Sequence, residues 1–220
     1  MLSLADLGSS RELNLLCIGA HSDDIEIGCA GTLLRLLEEH PGSDVTWVVL
    51  SSDGPRTREA RTSAEDLLST AGGCNTLFGQ FRDGHFPWQG SEIKDFMEDL
   101  ARSLQPDLVF THHLADRHQD HRTVGEITWS TFRNHLILEY EVLKYDADLA
   151  SPNLYIPLTE RIARRKVRHL LDHFPSQRSR DWFSADSFEA LLRLRGIESR
   201  APAGVAEAFH SRKMVLSARS

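Results

Sequence analysis

The chain has 220 residues, 40% of them hydrophobic and 26% charged, with a formal charge of −7. These proportions are those of a soluble globular protein with enough apolar residues to bury a sizeable core. The acidic balance leaves no basic footprint for nucleic acid, and no stretch approaches the length of a membrane span.

The opening MLSLADLGSSREL lacks the basic and apolar regions of a secretion signal, so a cytoplasmic protein is expected. Residues 13–20, LNLLCIGA, form a short, nearly continuous apolar run, the mark of a strand covered on both faces. Apolar residues at helical spacing follow over 31–40 and stop at Pro41 and Gly42. A second strand rich in β-branched residues is predicted over 44–52, and a helix over 57–71 that ends at Gly72 and Gly73. Next come a strand over 75–81, a helix over 91–105 with Ser91 as N-cap, and a strand over 107–113. Beyond residue 135 the pattern loosens. Residues 135–145 look strand-like, and 159–174 and 186–196 look helical.

Strands alternating with helices at this spacing imply βαβ units and a doubly wound, mostly parallel α/β sheet. With no repeat or linker in evidence, 1–220 reads as a single domain, a core of about 13–135 with a C-terminal extension of about 136–220. The odd number of cysteines (Cys17, Cys29 and Cys74) and the lack of a CxxC pair fit buried thiols in a reducing compartment better than disulfides or a cysteine zinc site.

Two polar clusters fall immediately after predicted strands, where ligands of such sheets bind. The first is HSDDIE, with His21 and Asp24 three residues apart, a spacing that puts both on one face of a first helical turn. Asp23 is rotated away from Asp24 there, free to meet a water rather than an ion. The second is DRHQDHR, in which His118 and His121 repeat the spacing. Alone, either reads as a capping cluster or a solvated helix start. Together they supply two histidines and a carboxylate for one divalent metal, with a position left for water, as in a catalytic zinc site. His112 and His113, at a strand end, are expected in supporting or structural roles.

AHSDDIEIGCAGTL followed by DRHQDHR resembles the PIG-L/LmbE-like family of zinc-dependent N-deacetylases, which act on N-acetylglucosamine-type amides. The resemblance spans roughly residues 13–135. It implies a Rossmann-like sheet with His21, Asp24 and His121 holding Zn2+, and Asp23 as the general base. It implies also that His118 stabilises the oxyanion, with Asp116 accepting a hydrogen bond from His118 and favouring its charged form. The chain departs from the family pattern at Ser22, where proline is usual, and at Ile25, where a glutamate usually follows the paired aspartates. Glu26 comes one position late.

On the substrate side, Asp83 in FRDGHFPW is a candidate sugar-hydroxyl ligand, against a plain Asp-Gly turn. Arg58 or Arg61 could reach a hydroxyl or phosphate, against a helix-face salt bridge. Trp88 could stack on a sugar face, against simple packing, and the segment HFPSQRSRDWF (173–183) is read as a packed, solvated loop rather than a nucleotide or phosphate site. The expected function is zinc-dependent removal of an acetyl group from a small N-acetylated amino sugar or glycoconjugate. Fe2+ or another divalent ion fits the same ligands, so an Fe(II) facial-triad enzyme is one alternative. A non-catalytic, metal-stabilised sugar- or nucleotide-binding protein is another, and a homo-oligomer stays open. No GxSxG elbow, phosphate loop or GxGxxG is present, which disfavours serine hydrolysis and ATP or NAD use.

Overall fold

Side chains of successive residues in the first strand, β1 (Asn14–Gly19), bury on opposite faces of one sheet. Leu15 and Cys17 join one apolar cluster, and Leu16 and Ile18 join the other. A strand apolar on both faces needs cover on both, and the chain supplies it with alternating helices. The computed structural model describes residues 11–215. After β1 come α1 (Asp24–Glu39), β2 (Asp44–Val49), α2 (Gly54–Leu67), β3 (Gly73–Phe78), α3 (Gly90–Ser103), β4 (Leu108–His112), α4 (Gln119–Thr131) and β5 (Leu136–Tyr140). The C-terminal part adds β6 (Leu154–Pro157), α5 (Glu160–His173), α6 (Ala185–Glu198) and β7 (Ala206–His210).

The seven strands lie in the order β3-β2-β1-β4-β5-β7-β6. The first five are parallel, and β7 runs antiparallel to both its neighbours. From β1 the chain steps outward through β2 and β3, then returns to place β4 on the other side of β1. The carboxyl ends of β1 and β4 therefore diverge into different loops, which opens a crevice at that edge. The predicted α/β class and the strands and helices to residue 113 are found within a few residues, while α4 was not predicted as an element. Helix α1 is the exception: it begins at Asp24 rather than at 31, because its first turn is polar yet buried and hides the apolar period. Strands β6 and β7 were not predicted. They extend the same sheet, so the C-terminal extension continues the core's own architecture.

Two contacts fix α1. A Cβ on Gly28 would lie 2.2 Å from the Tyr140 ring, so only glycine lets the helix settle onto that ring. Tyr140 Oη donates to Ile18 O at 2.6 Å, tying β5 to β1 beneath the same helix. Nearby on the same helix, buried Lys166 donates to Ile27 O (2.6 Å) and Glu207 Oε1 (2.5 Å). Glu207 accepts from the backbone N–H of Gly31 (2.8 Å) and Thr32 (2.6 Å). The ion pair thus satisfies helix backbone groups while joining α1, α5 and β7, and removing either partner would strand a buried charge.

Gly28→Ala is expected to lower the unfolding free energy by about 1–3 kcal/mol through overpacking against Tyr140, measured by chemical denaturation. His210, stacked on His113 at 3.7 Å, gives a pH prediction. Burial and then the His113 charge push its imidazole down to about 4, with Arg195 adding to the effect and Glu139 opposing it. An unfolded histidine titrates near 6.5, so the folded state binds fewer protons between those values. The His210 contribution is therefore present above pH ~6.5 and lost as pH falls toward about 4. His210→Gln is expected to flatten that part of the stability profile in thermal melts at stepped pH.

Candidate metal centre

The crevice at the β1/β4 switch point receives both polar clusters. The chain leaves β1 at Gly19, turns through His21 and Ser22, and enters α1 at Asp24; His21 N–H donates to Asp24 Oδ2 at 2.6 Å. His21 and Asp24 are therefore joined by a turn and do not share a helical first turn. From β4 the chain passes through a loop to His118, the N-cap of α4, whose Nδ1 accepts from Asp120 N–H at 3.3 Å, and His121 follows in the first turn. All of these groups but His118, which is half-buried, are closed off from solvent.

Three donors meet. His21 Nδ1 lies 3.2 Å from His121 Nε2 and 3.3 Å from Asp24 Oδ2, and His121 Nε2 lies 3.5 Å from Asp24 Oδ1. Four ligands tetrahedrally placed at about 2.0–2.1 Å from a zinc ion stand roughly 3.3–3.4 Å from one another. The remaining ring nitrogens are already committed. His121 Nδ1 donates to Asp116 Oδ2 at 2.9 Å, and His21 Nε2 faces Asp83 Oδ1 at 3.1 Å and Asp120 Oδ2 at 3.2 Å. With those nitrogens carrying the hydrogens, the lone pairs of His21 Nδ1 and His121 Nε2 point at each other and at a carboxylate. That donor set fits a divalent metal, with its outer nitrogens held as metal-binding histidines usually are. Three overlapping sets also bring donor atoms within 4.8 Å: His21 with His118 and His121, His21 with Asp83, His118 and Asp120, and Asp24 with His112 and His121.

The electrostatics separate the paired aspartates. Burial opposes ionisation of Asp24, but His121, His112 and His21 outweigh it and hold its carboxyl well below the ordinary range. Asp23 is pushed up to about 6 by burial and by the Asp24 charge, against the pull of Arg56 and His21. Arg56, at the start of α2, bridges two acids: Nη2 is 3.6 Å from Asp23 Oδ1 and Nη1 is 3.3 Å from Asp83 Oδ2. For His21 burial works against the charge, yet Asp24, Asp120 and Asp83 raise it well above the usual imidazole value. His118 is lowered by burial and by the His21 charge. With Nδ1 accepting from the backbone, its neutral form carries the proton on Nε2.

The expected Asp116–His118 ring pairing is corrected. Asp116 Oδ1 accepts the backbone N–H of His118 (2.8 Å), while its Oδ2 takes the ring of His121 and the Lys144 ammonium (2.9 Å). Asp116 thus positions His121, and the hydrogen bond from that ring together with the Lys144 ammonium makes it unusually acidic despite burial. Arg58 is exposed on α2, away from the crevice, and Arg61 stacks over Phe78 at 4.8 Å; the arginine that faces the site is Arg56. Asp83 lies where expected, at the crevice mouth with its side chain half exposed.

Asp120, Lys144 and Arg56 escaped the sequence reading, whereas His112 was expected in a supporting role. Asp120 is fully buried and accepts the N–H of Gly84 (2.6 Å) and Phe86 (3.1 Å), so it ties the loop bearing Asp83 to α4. Its place beside His121 in the motif was the signal, but an acid in a helix's first turn is ordinarily a solvated one. His112 is buried, stacks on His121 at 4.0 Å, accepts Ala20 N–H at 2.9 Å and lies 3.2 Å from Asp24 Oδ2. Lys144 anchors Asp116 and Asp148, from a loop no motif marks. The site opens into a cleft of about 310 Å³, whose far wall comes from Tyr145, Arg180 and Trp182.

The sequence and structure were compared with known proteins. A family model described as PIG-L, GlcNAc-PI de-N-acetylase, matches residues 16–132, just over half of the chain. A protein of Escherichia coli (strain K12) described as "Uncharacterized deacetylase YaiS" is 30% identical over 142 residues, covering 60% of this chain and 76% of that one. Among solved structures, N,N'-diacetylchitobiose deacetylase from Pyrococcus horikoshii superposes with a TM-score of 0.67 at 22% identity, over 90% of this chain and 83% of that chain. GalB, the 4-carboxy-2-hydroxymuconate hydratase from Pseudomonas putida KT2440, superposes with a TM-score of 0.73 at 16% identity, over 94% of this chain and all of that chain. At those identities the two structures establish the shared fold. The family match and the E. coli relative carry the further conclusion: the chain belongs to the PIG-L/LmbE-like deacetylase family.

Proposed function

We propose that the chain is a zinc-dependent amidohydrolase that removes the N-acetyl group from a small amino-sugar-containing substrate. The observation that carries this reading is the closure of His21 Nδ1, Asp24 and His121 Nε2 to 3.2–3.5 Å with a second, separately held carboxylate next to them. His21, Asp24 and His121 would hold the ion, which when bound acidifies a water and polarises the substrate carbonyl. A pure binding site needs no adjacent base, and neither does an Fe(II) facial triad, so Asp23 argues for hydrolysis over both.

Asp23 is placed to take the proton of the attacking water and pass it to the departing amine. With burial and Asp24 setting it near 6, it is matched to proton transfer close to neutrality. Arg56 keeps its carboxylate aimed into the cleft. His118, neutral and protonated at Nε2, is placed to donate a hydrogen bond to the developing oxyanion. Asp116 holds His121 in the tautomer that leaves Nε2 free. Asp83, half exposed and paired with Arg56, is the candidate ligand for a sugar hydroxyl. We further propose that 1–220 acts as one domain, and that its free cysteines suit the reducing cytoplasm. Among the described residues no helix is long and apolar enough to cross a membrane.

The test is amine release from a panel of N-acetylated sugars, with elemental analysis before and after chelation. About one zinc in this site, with chelator-sensitive release, is the expected result; no metal uptake under any loading condition would overturn the proposal. Asp23→Asn is expected to keep the metal and lose about 10²–10⁴-fold in kcat, the range for a missing general base. Asp24→Ala and His121→Ala are expected to lose the metal of this site and activity together. Asp116→Asn removes the anionic acceptor behind His121, and metal affinity in chelator competition is expected to fall about 10–100-fold.

A further inference from the structure

A second set of metal-ligating side chains closes where α2 packs against α5, sharing no residue with the site at β1 and β4. His169 and His173 stand four residues apart on α5, which brings two imidazoles onto one helix face, one turn apart. Their ring centroids are 4.2 Å apart. Asp66, in the last turn of α2, reaches both: Oδ2 lies 3.0 Å from His169 Nδ1 and 3.4 Å from His173 Nε2. One donor atom from each of the three falls within 4.8 Å of the others. These separations are again those of ligands sharing one small ion, and two imidazoles with one carboxylate are the donor set that zinc prefers.

The surroundings are those of a built site. His169 is buried, and its other ring nitrogen, Nε2, is held 2.8 Å from Ser63 Oγ, which fixes the ring. Ser63 is itself fully buried and bonded to the Glu26 carboxyl of α1. The Asp66 side chain is 56% exposed and that of His173 22%, so an ion has a path in and water can complete its coordination. Burial and then His173 bring His169 down to about 4, which leaves it neutral, the form that binds a metal. Arg165 opposes a cation here, so this site is expected to bind less tightly than the first.

We propose that Asp66, His169 and His173 form a second divalent-cation site, suited to zinc, that clamps α2 to α5. Since Arg56 lies in the first turn of α2, an ion here braces from outside the helix that faces Asp23 and Asp83. The proposal stands apart from the catalytic reading, since it concerns other residues and a different readout.

The experiment uses full-length, tag-free protein stripped with chelator, re-equilibrated with Zn2+ alone and assayed for bound zinc. Two zinc ions per chain are expected for the wild type. His173→Ala and Asp66→Asn should bind one and keep amine release. His121→Ala should also bind one, and its melting temperature should still rise with Zn2+, a rise that the His121→Ala/His173→Ala double variant lacks. If His173→Ala and Asp66→Asn bind as much zinc as the wild type, or if folded His121→Ala binds none, the second site does not exist. A wild type that binds one zinc, lost on His121→Ala, overturns this proposal and leaves the catalytic one standing. Two zinc ions per chain, one of them lost on His173→Ala, with no amine release from any N-acetylated sugar does the reverse.

Discussion

Two carboxylates adjacent in sequence and buried in the same crevice repel each other, and the structure around them is what makes that pair tolerable. Asp24 is ringed by the imidazoles of His21, His112 and His121, while Asp23 is left to Arg56 and the cleft. The partition drives their proton affinities apart: one is held ionised, and the other is raised toward neutrality. Environments that separate two titratable groups in this way are how a single pocket assigns a ligand and a base. Without the histidines Asp24 would be an unpaired buried charge, and without Asp24 the inward-facing nitrogens His21 Nδ1 and His121 Nε2 would face no anion.

That arrangement makes demands on the fold. His21 must arrive from β1, and His112 and His121 from β4 and α4, so β1 and β4 must be neighbours although 92 residues separate Ala20 from His112. The sheet order provides this by reversing at β1. The second layer then acts at a distance: Asp116 fixes His121, Lys144 steadies Asp116, and Asp120 fastens the Asp83 loop beside His21. Gly28 allows Tyr140 to close against α1 from below, which sets where the helix can begin.

Much of this was legible in the residues. Apolar runs and helical spacing located the strands of the parallel half, and the two motifs located the metal-ligand candidates. Strand β7, AEAFH, was not legible because its alternation is carried by Glu207, a charge that enters the interior only by pairing with Lys166 and two backbone N–H groups of α1. Strand β6 ends in Pro157 at the sheet edge, where a missing backbone donor is tolerated and period-2 patterning is weak. Asp120 and Arg56 read as ordinary helix-start charges, since nothing local marks which of several acids or arginines turns inward. The choice of Arg56 over Arg58 is a matter of helix phase: two residues rotate a side chain by about 200°.

The cleft draws its two walls from different parts of the chain, and this bears on what family membership can convey. The donor and base groups all lie within residues 16–132, the stretch the family model matches. The opposite wall, Lys144, Tyr145, Arg180 and Trp182, lies beyond it, on the loop after β5 and the segment between α5 and α6. Tyr145 and Trp182 meet edge to face at 6.4 Å, so two distant segments build one aromatic rim. In the proposed reading, the half matched by the family model carries the groups assigned to the metal, the proton and the oxyanion. Lys144 ties the opposite wall to the metal centre through Asp116, whereas Tyr145, Arg180 and Trp182 line the cleft beyond it. A fold that also serves a hydratase fits this division, since the same sheet edge can present different groups to a different ligand.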